Sequence, residues 1–512
     1  MIEPHVYQAL AEVVGADFIS EDITIRQAYS KDPCPPVVVR KLDKDPLTIP
    51  DLIVLPSSTE EVQGVLRIAN RYDIKVIPIG SGDNMTGNAI PIMHRTMILD
   101  LKRMDKILEI DEENKCFRIQ PYVSIARVQA EAMKRGLWNG GTPCAPSSNT
   151  ILSNMMFVGG MYQSAMAYGF GVRSLHSITV VLPNGDILRT GSHGIFEGNP
   201  AFWYGPGPDL RCLWEMASMG ALGVVTEAIV KLHTWVGGEW PIEEVYGHPP
   251  LPKNHRIYWF KFAKAEDAAQ AGREISYSSI GTHLNIPINS VSAMQSQSHQ
   301  DISRKMFDEG YFEPHWMYIM LTGFSPRRLD YEEKVLMDII EETGGEPLGE
   351  DQTKLMECYH MDAFRSGDFV RWVRDGIYTI TGMCRIPVED RVKSQEGSQR
   401  TVQKFEHVNF DEGWPWAYCY ERGHFWLSEQ DLFGDQYRDS RRVKAMLVDY
   451  LRGIVDNAMG YTMLAEPFPS WKGTQIGPNF HLLLKNMKHV FDPKDVMNPN
   501  RLVTLHPPER KK

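Results

Sequence analysis

The chain has 512 residues, enough for two or three domains, and 43% apolar residues, which suits large buried cores. Its formal charge of −11 argues against a nucleic-acid surface, which rewards basic side chains. The 33 prolines and 41 glycines are spread along the chain, so no low-complexity segment or repeat period stands out.

In chain order, Met1-Ile2-Glu3-Pro4-His5 shows no basic-then-apolar leader. Pro50 to Pro56 predicts a strand. Ser58-Thr59-Glu60-Glu61-Val62 then opens a helix to about Tyr72, with an N-cap and early acids. A second apolar run, Lys75 to Ile79, ends in Gly80-Ser81-Gly82-Asp83-Asn84. Glycines after a strand let successive backbone N–H groups turn inward into a nest that suits phosphate oxygens; a purely geometric turn is the alternative.

Ile98 to Leu101 and Phe117 to Pro121 predict strands flanking a polar turn, and Val128 to Arg135 a helix. Gly140-Gly141-Thr142-Pro143, continuing to Ser147 and Ser148, is a small polar loop. Ser177 to Gly191 predicts a hairpin turning at Asn184-Gly185. Ser218 to Ala228 couples small residues to a β-branched strand. A boundary is expected near Trp235 to Pro241. Beyond it strands at Ile257–Phe262, Met317–Gly323 and Ala417–Tyr420 alternate with helices at 265–275, 328–343 and 440–459, as in an antiparallel sheet backed by helices.

Three of these motifs together, Pro78-Ile79-Gly80-Ser81-Gly82, Val180 to Asp186 and Gly220-Ala221-Leu222-Gly223-Val224-Val225-Thr226-Glu227, resemble the FAD-binding domain of the vanillyl-alcohol oxidase and p-cresol methylhydroxylase superfamily. Val490 to Pro499, with Asn498, is similar to its closing motif. Phe202 to Leu210, Ala167-Tyr168-Gly169 and Gly477-Pro478 resemble the 4-cresol dehydrogenase and aryl-alcohol oxidase branch. The sequence lacks the histidine motifs of the 2-hydroxy-acid and alkyl-dihydroxyacetonephosphate branches.

The resemblance implies an α+β fold, with a two-subdomain FAD-binding domain and an antiparallel-sheet cap. The expected divisions are 1–237 for the FAD domain, 238–460 for the cap, and 461–512 for a return to the FAD domain. It implies one FAD held by Pro78 to Asn84, Gly141, Thr142, Pro143, Ser147, Ser148, Gly220, Gly223, Val224, Val225 and Asn498. No histidine lies near Gly382 and Met383, where relatives tether the cofactor, so non-covalent FAD is expected.

Flavin oxidation of an alcohol or benzylic carbon needs that carbon positioned for hydride transfer and the developing charge stabilised. In the alkylphenol branch two tyrosines and an arginine hold a phenolate. Here the first tyrosine is replaced by Met85-Thr86, and Gly460-Tyr461-Thr462-Met463 retains a tyrosine without the arginine. Tyr461 is therefore a candidate donor; in the segment Arg371 to Pro387, Tyr378 is another, with a strand tyrosine packed in the core as the alternative, and Arg385 is the candidate anchor for a substrate anion, with a solvated arginine as the alternative. Arg371 and Arg374 read as solvated helix residues. Trp414, Trp416, Tyr418 and Tyr420 share one strand face, a pocket wall or an ordinary core. His424 is the acid–base candidate, with a structural histidine as the alternative.

Seven well-separated cysteines contain no Cys-x-x-Cys, so no metal site is expected, and reduced thiols suit a cytoplasmic protein. No apolar run reaches the roughly 20 residues of a membrane helix. The expected function is an FAD-linked dehydrogenase acting on an alcohol, phenol or hydroxy acid. It would pass electrons to an iron–sulfur or cytochrome subunit, as a homodimer or hetero-oligomer. A 2-hydroxy-acid dehydrogenase subunit is one alternative; a flavin electron-transfer subunit without substrate chemistry is another.

Overall fold

The computed structural model describes residues 2–30, 48–82, 88–141, 148–157, 164–169, 171–194, 219–239, 251–286, 315–350, 378–386, 416–433, 441–446 and 478–501, with isolated positions such as Trp214 and Val503. Four strands form the first sheet: β1 (Ile19–Ser20), β2 (Leu52–Val54), β3 (Lys75–Ile79) and β4 (Thr96–Asp100), in the order β1-β2-β4-β3. The last three are parallel, and β1 runs against β2. The helix Thr59–Tyr72 is the crossover from β2 to β3. Ser58 caps it, its hydroxyl accepting from Glu61 N, and Asp73 ends it in the left-handed conformation. Its buried stripe of Val62, Val65, Leu66 and Ala69 shares one core with Val6, Leu10 and Val14 of the helix Pro4–Val14.

The second sheet is antiparallel: β5 (Ile107–Asp111), β6 (Cys116–Ile119), β8 (Leu175–Val181), β9 (Ile187–Arg189) and β10 (Val224–Lys231), in the order β5-β6-β10-β8-β9. A short pair, β7 (Leu137–Trp138) and β11 (His233–Thr234), stands beside it. The runs at 98–101 and 117–121 thus do not flank one turn: β4 lies in the first sheet and β6 in the second. An additional strand, β5, pairs with β6. The Asn184-Gly185 hairpin is present, with Gly185 at φ +87° and its N–H donating to Leu182 O at 2.8 Å. Near the C-terminus the helix Pro478–Phe491 leads into Val496–Asn498. That segment hydrogen-bonds to Val76 at both its N–H and its C=O, each at 2.8 Å.

A seven-stranded antiparallel sheet forms the cap. Its strands are β12 (His255–Lys261), β13 (His283–Ile286), β14 (Trp316–Thr322), β15 (Glu346–Pro347), β16 (Tyr378–Ile386), β17 (Trp416–Tyr420) and β18 (Phe425–Phe433). Their order is β15-β12-β14-β13-β17-β18-β16. Because strand side chains alternate, the sheet has two distinct faces. Phe260, Leu284, Met317, Ile319, Ala417, Cys419 and Trp426 form one core with Ala268, Ile275, Leu329, Leu336 and Ile340 of the helices Ala265–Tyr277 and Pro326–Glu342. The alternate residues Trp259, Tyr318, Tyr418, Tyr420 and Leu427 belong to a core continuous with the second sheet. The cap's aromatic face is thus turned to the N-terminal half. The helix expected at 440–459 is described at 441–446 and 449.

Candidate active site

The turn after β3 is closely packed against a neighbouring helix. A side chain at Gly80 would place its Cβ 2.4 Å from Ser153 Oγ and 2.9 Å from Thr150 Oγ1. The glycine is therefore required for the close approach of this turn to the start of the helix Ile151–Phe157. Thr150 is held in place by bonds from Ile125 N to Asn149 O and from Ile151 N to Val123 O, at 2.9 and 3.1 Å. Its hydroxyl is nonetheless buried without a hydrogen-bond partner among the described residues, as is Asn154 Oδ1. Buried polar atoms are normally satisfied, so this pair marks a place where a polar ligand is expected. Gly82 follows at φ +74°.

A second turn, Met219 to Gly223, closes on the first. Gly220 packs on Pro78, whose Cγ would lie 2.5 Å from an added Cβ, and Gly223 stands at φ +138° against Val181 O. Val224 and Val225 then pair with Val181 and Val180. The C-terminal segment clamps this turn. Lys488, 1% exposed, donates to Ala221 O at 2.8 Å, Met497 O at 2.6 Å and Asp492 Oδ2 at 2.6 Å. Asn498 donates to Met219 O at 2.6 Å and Asn88 O at 3.3 Å. Asn498 therefore acts on the turn, as a positioning residue. Lys488 was missed from the sequence; a lysine among apolar helix positions, four residues before Asp492, was the available signal.

Of the other expected cofactor residues, Ile79 ends β3 opposite Asp100, Gly141 is buried at φ +94°, and Ser148 is exposed. Asp83, Asn84, Thr142, Pro143 and Ser147 lie outside the described residues, as do Thr86 and Tyr461. Gly140, beside Gly141, rests on the stacked rings of Tyr168 and His233, whose centroids are 3.9 Å apart.

In the cap, the expected trio does not assemble. Tyr378 pairs with Phe433, and His424 precedes Phe425 at the other end of β18, roughly 27 Å away at ~3.3 Å per residue. His424 is exposed in the β17–β18 turn, its N–H donating to Glu421 O at 3.2 Å. An exposed turn histidine does not meet the requirement that a general base reach a buried substrate. Arg385 pairs in register with Leu427. That row continues across the sheet through Tyr418, Asn285, Tyr318 and Trp259. Trp259 and Tyr318 stack at 4.7 Å, and His283 tilts against Tyr318 at 4.7 Å and Tyr418 at 6.2 Å. Burial pushes the His283 imidazole down to about 3, so it stays neutral across the physiological range. His283 and Asn285 were also missed; their signal was polar residues alternating with Leu284 and Ile286 in a short strand.

With this geometry in hand, residues 50–191 match the family model of an FAD binding domain. The whole chain superimposes on p-cresol methylhydroxylase with substrate bound: TM-score 0.76, 98% of this chain and 97% of that chain covered, at 18% identity. The chain therefore carries an FAD binding domain and shares the fold of p-cresol methylhydroxylase. Among curated relatives, the glycolate oxidase subunit GlcD of Bacillus subtilis (strain 168) is 33% identical over 232 residues, 45% of either chain, so the match spans about half of that relative's length. Alkyldihydroxyacetonephosphate synthase of Dictyostelium discoideum is 23% identical over 487 residues, 89% of this chain and 73% of that one.

The FAD binding domain match makes FAD the cofactor, and the residues present fit it. A Cβ at Gly80 would displace the Ser153 and Thr150 hydroxyls, and the Thr150 hydroxyl has no partner among the described residues. Among the described residues no group of three or more histidine, cysteine or carboxylate side chains is placed to hold a metal ion. No helix among them is long and apolar enough to cross a membrane.

Proposed function

We propose that this flavoprotein is a dehydrogenase that oxidises an aryl or allylic alcohol, or an alkylphenol-like carbon, and passes the electrons to a separate redox protein. The observation that carries this reading is the aromatic face of the cap sheet. Trp259, Tyr318, Tyr418 and Tyr420 are buried on the side turned to the FAD domain, and the polar groups among them, His283 and Asn285, are uncharged. A flat, largely apolar substrate suits such a wall better than a small, strongly hydrated one. FAD, when bound, supplies the hydride acceptor at its N5.

The chain's own residues divide the work. The backbone of Gly80 to Gly82, with Thr150 and Ser153, would hold the cofactor's pyrophosphate, together with Asp83, Asn84 and the Gly141 to Ser148 loop. Gly220 to Val225 line the cofactor, with Asn498 and Lys488 fixing that turn. The cap strands orient the substrate carbon and exclude water. Arg385, in the same register row as Asn285, anchors any anionic end of the substrate, and Tyr461 serves as a hydroxyl donor. The electrons leave to an iron–sulfur or cytochrome partner in a cytoplasmic hetero-oligomer. The structural neighbours p-cresol methylhydroxylase and 4-ethylphenol oxidase of Gulosibacter chungangensis are consistent with the aromatic class.

A second reading, oxidation of a 2-hydroxy acid, is favoured by the similarity to the glycolate oxidase subunit and to a probable D-lactate dehydrogenase of Danio rerio. Anaerobic addition of benzylic and allylic alcohols, para-alkylphenols, glycolate and D-lactate to the holoprotein separates the two. Loss of oxidised-flavin absorbance with the aromatic compounds is expected. Reduction by the hydroxy acids alone would overturn the aromatic reading. No reduction by any would leave a flavin electron-transfer subunit. Stopped-flow mixing of the reduced protein with air-saturated buffer then tests the acceptor: reoxidation as fast as turnover would make it an oxidase.

A further inference from the structure

The central cap strand β13 carries a polar group that the fold itself does not satisfy. Asn285 is 2% exposed, and its Oδ1 has no hydrogen-bond partner among the described residues. Its neighbours across the sheet are Tyr318 on β14 and Tyr418 on β17, both buried. A buried amide oxygen without a donor among aromatic rings weakens folding, and an apolar residue there would pack without that loss. His283, two residues earlier on the same face, is also polar and also buried, so β13 sets a polar strip into an aromatic wall. This strip meets the FAD domain. The helix Ala165–Tyr168 lies against β13 and β17, and Ser164, which precedes it, has a fully buried hydroxyl likewise without a partner. Two unsatisfied polar groups thus stand on elements in contact across the junction of cap and FAD domain.

We propose that Asn285 is a substrate-positioning and specificity-determining residue, its side-chain oxygen accepting a hydrogen bond from a ring hydroxyl held in the neutral form. This deepens the aromatic-substrate reading above and rests on it. An acceptor cannot hold a phenolate oxygen, so the chemistry selects a protonated hydroxyl. That agrees with the segment Gly460-Tyr461-Thr462-Met463, where Tyr461 is not followed by an arginine. The neutral His283 ring adds no positive charge beside Asn285.

The probes are 4-chlorophenol and 1,4-dichlorobenzene, which differ by one hydroxyl and contain no oxidisable carbon. Each is titrated into oxidised holoprotein, and binding is read from the perturbed flavin absorbance. In Asn285→Ala the affinity for 4-chlorophenol is expected to fall by roughly 5- to 150-fold, with that for 1,4-dichlorobenzene and the FAD content unchanged. Asn285→Leu, which refills the volume, gives the same ratio if the alanine variant loses its cofactor. Equal losses for both probes would assign Asn285 a structural role and overturn the proposal. So would no loss for either, or failure of 4-chlorophenol to bind the native protein. If binding depends on Asn285 while no alcohol reduces the flavin, the specificity residue stands and the dehydrogenase reading falls.

Discussion

Replacing Lys488 by Met should destabilise the FAD domain by about 3–5 kcal/mol, the usual result of stripping one partner from a buried ion cluster. The lysine is 1% exposed and donates to two carbonyls and to Asp492, with Asp495 at 3.1 Å. Removing the ammonium leaves Asp492, itself 0% exposed, supported among the described residues by the N–H groups of Val496 and Met497 at 2.9 and 2.7 Å. Burial already pushes the Asp495 carboxyl up, and Lys488 is the main group opposing that. Asp495→Asn should therefore restore part of the loss in the Lys488→Met background while giving no gain in the native protein, a coupling that a double-mutant cycle measures. The assay is urea unfolding followed by tryptophan fluorescence. Trp214 reports on this region because its indole N–H donates to Leu222 O at 3.1 Å and its ring meets Phe491 edge-on at 5.8 Å. A loss under about 1 kcal/mol would refute the idea that this cluster secures the Met219 to Gly223 turn.

Burial lowers His233 and His255 to about 4 and His283 to about 3. The unfolded chain therefore binds more protons below its ordinary histidine pKa. Stability is full above about pH 6.5 and falls toward pH 4, by up to about 1.4 kcal/mol per pH unit for each histidine. His283→Gln should flatten that slope in acid-unfolding measurements; an unchanged slope would discount its burial. Gly80→Ala, with its Cβ 2.4 Å from Ser153 Oγ, should yield a folded protein with sharply reduced FAD content by absorbance. Full FAD content would discount this turn as the cradle. Acid precipitation of the holoprotein should release all flavin into the supernatant, and a yellow pellet would show a covalent link.

The sequence by itself determined the local chemistry. The Ser58 cap, the glycine turn at Gly80 and the Asn184-Gly185 hairpin follow from short-range rules of hydrogen bonding and φ, which neighbouring residues obey wherever the chain goes. The order of these motifs was enough to reveal an α+β flavoprotein. Only the tertiary structure decided which residues meet. It separated β4 from β6 into two sheets, because strand pairing depends on partners far away in the chain. It placed Tyr378, paired with Phe433, and His424, just before Phe425, at opposite ends of β18. It brought Lys488 to Ala221, and Asn498 to Met219, across more than 250 positions. A lone His424 looks like an acid–base group in a sequence, but its exposure is a property of the folded turn. Asn285 looks ordinary until burial beside Tyr318 and Tyr418 removes water from its amide, because solvation is decided by packing and not by residue type.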